Sequence, residues 1–220
     1  MEKTRGYGSL PKATLGRLHM YYRYLSLHQR DFVSSEEMGG ALGVLPEQVR
    51  KDLSYLRYKG KPRVGYRVSE LRKELEEIFG VELELNMAIV GAGRLGGAIA
   101  NYEGFERYRT RVVALFDKDP AKVGTYVGKF RVRSVDELPE AVRELQVDVG
   151  AICVPPDAAQ EVADRLVESG VKAIWNFSPS QIKVPPEVIL RDEDITRGLL
   201  MIKHSIAVRS FRGDDRTPEL

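Results

Sequence analysis

Apolar residues recur at steps of three and four along the first third of the chain and gather into short continuous runs along the rest. Leu15, Leu18, Tyr22 and Leu25 share one face of a helix predicted from about Thr14 to Leu27, with polar residues opposite. In "SSEEMGGALG", Ser34 can cap a second helix while Glu37 returns the bond, and Gly43 ends it. Pro46 suits the first turn of a third helix, where its missing N–H is not needed, and Val49, Leu53 and Leu56 give that helix an inward stripe. Gly60, Pro62 and Gly65 then punctuate two short extended pieces, as a small hairpin requires. Ser69 is placed to cap a linking helix in which Leu71, Leu75, Ile78 and Phe79 keep the helical period up to Gly80.

Beyond Gly80 the texture changes. The runs "NMAIVG", "RVVALF", "FRVRSV", "VDVGAICV" and "VKAIWNF" alternate with helical patterns from Leu95, near Asp136 to Leu145, and from Ala158 to Ser169. Apolar strands of this kind, separated by helices, predict a parallel sheet covered on both faces, a doubly wound α/β fold. In the last segment Ile195, Leu199, Ile202 and Ile206 form a stripe too apolar for a free tail. Packing against its own domain and packing against a second subunit both remain open. The expected organisation is residues 1–80 as a first domain with its linker helix, 81–191 as the sheet domain, 192–210 as the terminal helix, and 211–220 as a disordered end.

The hydrophobic content of 43% is ample for a buried core. No apolar stretch approaches the roughly eighteen residues of a membrane span, and the N-terminus has no apolar centre for a signal peptide, so a cytoplasmic location is expected. The one cysteine, Cys153, cannot form an internal disulfide, and His19, His28 and His204 lack the spacing of metal ligands. Charge changes the picture more. The net of +2 hides a first segment, residues 1–68, with thirteen cations and six acids, followed by a remainder that is net acidic. The stretch "VRKDLSYLRYKGKPRVGYRV" alone holds seven cations and one acid, on the third helix and the hairpin. Three helices and a hairpin make a winged helix-turn-helix, whose third helix enters the major groove while the wing follows a phosphate backbone. Double-stranded DNA is the partner this basic face predicts.

"AIVGAGRLGGAIA" supplies the second chemistry. Gly91, Gly93 and Gly96 stand in the spacing G-x-G-x-x-G after a predicted strand and before a predicted helix. The first glycine permits the turn, the second lets backbone approach a pyrophosphate, and the third lets helix lie against strand. Arg94 and Leu95 belong to the same cofactor-binding loop. Asp117 ends the next strand, where a carboxylate can accept bonds from both ribose hydroxyls and would repel a 2′-phosphate, so NAD and NADH are favoured; Lys118 beside it weakens that preference. Val154, Pro155, Asn176 and Phe177 follow later strands and are candidates for the nicotinamide side.

A dehydrogenase also needs a proton relay. The Tyr-x-x-x-Lys pair, Tyr55 and Lys59, lies in the predicted DNA-reading segment, no histidine falls between residues 29 and 203, and Lys172 and Lys183 have no evident partner. A sensor joining DNA to a redox cofactor is therefore preferred over the alternatives, an NAD-dependent oxidoreductase or another nucleotide-gated regulator.

The blocks "SSEEM", "VRKDLSY", "VGY", "IVGAGRLGGAIANYEGF", "FDKDPAKVG", "VPPDAAQEVADRL", "GVKAIWNFSP" and "DEDIT", in this order, make the chain resemble the Rex redox-sensing transcriptional repressors. The resemblance implies a homodimer with N-terminal winged helices, Rossmann domains and an exchanged C-terminal helix, which binds inverted-repeat operators and leaves them when NADH replaces NAD+. By matching positions it places Arg50, Lys51, Ser54 and Tyr55 on the recognition helix and Lys59, Lys61 and Arg63 near the wing. It makes Tyr102 the residue that reaches the cofactor site of the other subunit, with Arg17 and Asp194 entering the same switch. One block departs from the family pattern, which usually has Phe-Gly at Leu56-Arg57 and Arg-Gly at Pro62-Arg63. That departure bears on wing geometry and operator preference.

Overall fold

The structure, a computed structural model, describes residues 10 to 213. The chain divides into two compact units, Met1–Leu83 and Glu84–Leu220.

In the first unit α1 (Lys12–Leu27), β1 (Phe32–Val33), α2 (Ser35–Leu42), α3 (Pro46–Leu53), β2 (Tyr66–Arg67) and α4 (Val68–Phe79) follow one another. The Ser34 hydroxyl accepts the Glu37 N–H at 3.0 Å, and Gly43 takes the left-handed conformation that stops α2. Val68 opens α4 and Arg67 precedes it as cap, so Ser69 sits inside the first turn rather than capping it. Leu18, Leu25, Met38, Val49, Leu53, Leu56, Leu71 and Leu75 close the core. Leu15, expected in the inward stripe of α1, is 39% exposed, and Tyr21 is buried instead.

The reason for that rotation is a carboxylate. Asp52 is fully buried on α3, and its oxygens accept the Tyr21 hydroxyl (2.8 Å), the Thr14 hydroxyl (3.1 Å), the Gln48 amide (3.0 Å) and two N–H groups of Arg17 (2.6 and 2.7 Å). An acid in a core is tolerable only when its lone pairs are met in this way, and meeting them turns α1 so that residues 14, 17 and 21 face α3. A second buried acid, Glu74 of α4, accepts the backbone N–H groups of Arg57 and Tyr58, tying α4 to the turn after α3.

The hairpin differs from its expected form. Tyr66 and Arg67 pair antiparallel with Val33 and Phe32, while Lys61 and Gly65 meet only as an isolated bridge around a tight turn. In that turn the Lys61 carbonyl accepts the N–H groups of Val64 (3.1 Å) and Gly65 (2.9 Å). Arg63, at its tip, has φ of 62°, the left-handed region where a Cβ is strained.

The second unit contains β3 (Leu85–Val90), α5 (Arg94–Ala100), β4 (Thr110–Asp117), β5 (Tyr126–Val127), β6 (Phe130–Ser134), α6 (Leu138–Glu144), β7 (Val149–Ile152), α7 (Ala159–Glu168), β8 (Ala173–Asn176), β9 (Ile189–Asp192) and α8 (Thr196–Gly213). They form one sheet in the order β5-β6-β4-β3-β7-β8-β9, parallel throughout except for β5. Neighbouring residues of a strand face opposite sides, so Val90 and Ile152 join one apolar layer while Ile89 and Ala151 join the other. Both layers must be apolar because helices cover both faces, which is why the runs are continuous. Connections leave β3 in one direction and β7 in the other, so the sheet has its switch point between these two strands.

Helix α8 reaches Gly213, so the end expected to be disordered from residue 211 begins with helix; residues 214–220 lie outside the described residues. Asp194 caps this helix, accepting the N–H and hydroxyl of Thr196 at 2.8 and 2.6 Å. Those bonds hold its carboxyl below the usual aspartate range. Leu199, Leu200, Met201, Ile202 and Ile206 of α8 are all exposed.

Asp52 gives a prediction. Burial pushes its carboxyl up, but hydrogen bonds from Arg17, Tyr21 and Gln48 outweigh burial and hold it below the ordinary aspartate value. With the folded pKa depressed, this contribution is complete above the unfolded aspartate value of about 4 and is lost as pH falls through the folded value. Asp52→Ala should lower the unfolding free energy by about 2–4 kcal/mol at neutral pH, since it orphans a buried hydroxyl and frees a cation. Thermal melts between neutral pH and about pH 3 should show the variant's deficit shrinking in acid.

Candidate nucleotide site and nucleic-acid interface

At the switch point the chain runs backbone against backbone. Gly91 has φ of 109°, and a side chain there would strike the Cys153 carbonyl; a side chain at Gly96 would strike the Gly91 carbonyl. Only glycine fits either position. Gly93, which precedes α5, has nothing within 4 Å of where a Cβ would stand, leaving backbone open to a ligand. These constraints shape a cleft of about 820 Å³ between the loops after β3, β4, β7 and β8.

The cleft brings together most of the predicted residues. Gly91, Gly93, Arg94 and Leu95 line it from the glycine loop, Asp117 and Lys118 from the end of β4, and Val154, Pro155 and Phe177 from the loops after β7 and β8. Gly96 lies beneath, as the packing glycine. Asn176 is a correction. It is wholly buried, donates to the Ser180 carbonyl (2.9 Å) and the Asp192 carboxylate (2.8 Å), and accepts the Ser178 N–H (3.0 Å), so it holds the turn after β8 and does not line the cleft.

Asp117 is nearly buried. Its oxygens accept the backbone N–H groups of Ala92 (2.8 Å) and Asp119 (2.9 Å) and the ammonium of Lys122 (2.9 Å). Burial pushes its carboxyl up, but these bonds hold it below the usual range, so it is ionised at neutral pH. Lys122 also lines the cleft and was not among the residues predicted from the sequence; its signal was there in the "DKDPAK" turn that folds it back over Asp117. Cys153 lines the cleft as well, its thiol pushed up to about 12 by burial. The cradle, the open backbone at Gly93 and the ionised acid one strand away fit a dinucleotide with free ribose hydroxyls.

Beside the cleft, aromatic rings form a series: Phe177 to Trp175 (4.6 Å between centroids), Trp175 to Phe105 (6.0 Å) and Phe105 to Tyr102 (5.0 Å). Tyr102 is 61% exposed and does not line the cleft of its own chain.

On the first unit, Arg50 and Lys51 are exposed on α3. Ser54 and Tyr55 are not on the recognition helix as expected: Ser54 is its C-cap and Tyr55 lies in the turn beyond, because Lys59 donates to the Ser54 carbonyl (2.7 Å) and to the Leu56 carbonyl, closing the chain there. Lys59 is thus engaged in holding this turn. Arg50 is paired with Glu36 (2.7 Å) and Glu47 (3.1 Å), exposed contacts of small net strength that a phosphate can replace. Lys61 and Arg63 are exposed at the hairpin tip. Arg17, expected to enter a switch with Tyr102 and Asp194, donates to Asp52 within its own unit.

Two family descriptions match the sequence: "CoA binding domain" over residues 83–180 and "Putative DNA-binding protein N-terminus" over residues 9–54. A redox-sensing transcriptional repressor, Rex 2 of Thermotoga maritima, is 44% identical, over 89% of this chain and 95% of its own. Among solved structures, RSP, a Rex-family repressor, in complex with β-NAD+ and operator DNA superposes with a TM-score of 0.83 at 35% identity, covering 93% of this chain and 96% of RSP. RSP in complex with β-NADH gives 0.84 at 34% identity, covering 94% and 98%. With this identity spanning both units, the chain belongs to the Rex family of redox-sensing transcriptional repressors.

Proposed function

We propose that this chain is a cytoplasmic redox sensor that represses transcription as a homodimer on inverted-repeat operator DNA and leaves the DNA when NADH replaces NAD+ in the cleft. The observation that carries this reading is one chain holding both a glycine cradle facing an ionised Asp117 and, on a separate unit, a cationic helix and wing. The NAD+, operator and NADH complexes of RSP support it, and the naming of the relatives as repressors supports a regulator over an enzyme.

In this reading Gly91, Gly93, Arg94, Leu95 and Gly96 seat the pyrophosphate, Asp117 and Lys118 face the adenosine ribose, and Val154, Pro155 and Phe177 border the nicotinamide. When bound, the nicotinamide supplies the signal, a positive charge in the oxidised form that is absent from the reduced one. Helix α8, apolar and exposed on many sides, is exchanged with a second copy, whose surface covers Leu199, Ile202 and Ile206. Tyr102 reaches across that interface to the partner's cleft, and Asp194 at the start of α8 shares the switch. Arg50 and Lys51 enter the major groove, Ser54 and Tyr55 approach from the turn beyond, Lys59 keeps that turn closed, and Lys61 and Arg63 follow the backbone at the wing.

Two half-sites are read together only when the recognition helices stand about one turn of DNA apart, roughly 34 Å. A change in the relative placement of the two subunits therefore releases DNA without altering any DNA-contacting side chain. Driving the population from one placement to the other takes about 5.5 kcal/mol of differential binding between the two dinucleotides.

The test is operator retention titrated with NADH at fixed NAD+ and fixed salt, with Trp175 emission followed in parallel; Trp175 is the single tryptophan and packs on Phe177. NADH should quench Trp175 and release DNA, with NADPH far weaker. Steady NADH turnover with small carbonyl compounds and no operator retention would instead make the chain an oxidoreductase. Tyr102→Phe should blunt NADH-driven release more than it weakens NADH binding; equal losses would remove Tyr102 from the coupling. Arg63→Gly should act in opposite directions, raising stability by about 1 kcal/mol through relief of the left-handed strain while weakening operator binding. Its salt slope should fall by about 1 if the side chain meets a phosphate.

A further inference from the structure

Asp117 has fewer free lone pairs than a ribose diol needs. An ionised carboxylate offers about four acceptor sites. Oδ2 already takes the Ala92 N–H and the Lys122 ammonium, and Oδ1 takes the Asp119 N–H. What remains suits one hydroxyl, whereas the 2′ and 3′ hydroxyls together bring two donors. The Ala92 and Asp119 donors are backbone and fixed by the glycine loop and by the turn after β4. The Lys122 ammonium is not fixed: it rides on a four-carbon stem and its side chain is 42% exposed.

The stem, however, is anchored. Lys122 N–H and Val123 N–H both donate to the Asp119 carbonyl (2.9 and 3.1 Å), and the Asp119 side chain accepts the Ala121 N–H (3.0 Å). This single turn keeps the root of Lys122 beside Asp117 wherever the ammonium swings. A cation that yields an oxygen to a ribose hydroxyl therefore stays next to the ribose edge, the place a 2′-phosphate occupies. Lys118 lines the same end of the cleft but makes no bond to Asp117.

Building on the reading of the cleft as a nicotinamide dinucleotide site, we propose that Lys122 is a specificity-determining residue: it competes with a ribose hydroxyl for Oδ2 of Asp117 and softens the rejection of a 2′-phosphate. Asp117 supplies the discrimination between NADH and NADPH, and Lys122 limits it. A cation one bond from the discriminating carboxylate partly neutralises the charge that repels the phosphate, and once displaced it donates to that phosphate.

The test uses the full chain and calorimetric titration with NADH and, separately, NADPH. Lys122→Met should tighten NADH binding, because a competitor for Oδ2 is gone. It should weaken NADPH by about tenfold, the scale of one charge-assisted hydrogen bond, so the ratio of the two dissociation constants widens. Lys122→Arg keeps a cation at the same position and should return NADPH to within about threefold of the unaltered chain. Equal weakening of both dinucleotides by Lys122→Met would make Lys122 a support for Asp117 and overturn the proposal, as would a ratio that stays the same or narrows. Failure of the unaltered chain to bind NADH would overturn the reading of the cleft itself, a distinguishable result.

Discussion

Contact between bare backbones at the switch point is the constraint on which the rest of the second unit depends. The Gly91 carbonyl occupies the space a side chain at Gly96 would need, and the Cys153 carbonyl occupies the space a side chain at Gly91 would need. This double approach draws the start of α5 down onto β3 and brings the end of β7 alongside. The loops that follow are then left to diverge, and their divergence is the cleft. The Gly91 N–H donates to the Phe116 carbonyl (2.7 Å) and the Cys153 N–H to the Val90 carbonyl (2.8 Å), so strand pairing continues to the rim of the cleft and fixes Asp117 at its edge.

The first unit is organised by the opposite device, a charge taken inside. Asp52 draws Thr14, Arg17, Tyr21 and Gln48 onto itself, which sets the rotation of α1 and consequently which of its residues reach the core. Glu74 does the same for the turn after α3. Two acids inside a basic headpiece orient the elements from within, while Lys51, Lys61 and Arg63 stay exposed outside. Arg63 illustrates the separation: it adopts a backbone conformation that costs stability and sits where solvent, not core, surrounds its side chain.

Much of this was legible in the residues because the responsible forces are local. Glycine spacing, strand runs, the Ser34 cap, Pro46 at a helix start and the position of Asp117 all depend on a few neighbours, and each appears where the pattern placed it. What the pattern missed depends on partners distant in the chain. Nothing in the sequence signals that Arg17 bonds Asp52, thirty-five positions on. Asn176 reads as a loop residue beside a ligand until Ser180 and Asp192 fill its bonds. Strands β5 and β9 escaped because the first has two residues and the second offers a run of only three apolar residues, Val188 to Leu190, cut short by Arg191 and Asp192. Leu15 and Tyr21 lie on adjacent helical faces, and periodicity alone could not tell which of them a buried acid would select.

The burial of Cys153 has a consequence for what kind of oxidation this chain can register. Its thiol is held almost wholly protonated at neutral pH, and a protonated sulfur is a poor nucleophile toward peroxides and disulfides. Cys153 is the one cysteine in the sequence, so a sulfenic acid there would have no resolving thiol within the same chain. In the proposed function the redox signal is which dinucleotide fills the cleft that Cys153 lines, and it alters no covalent bond of the chain.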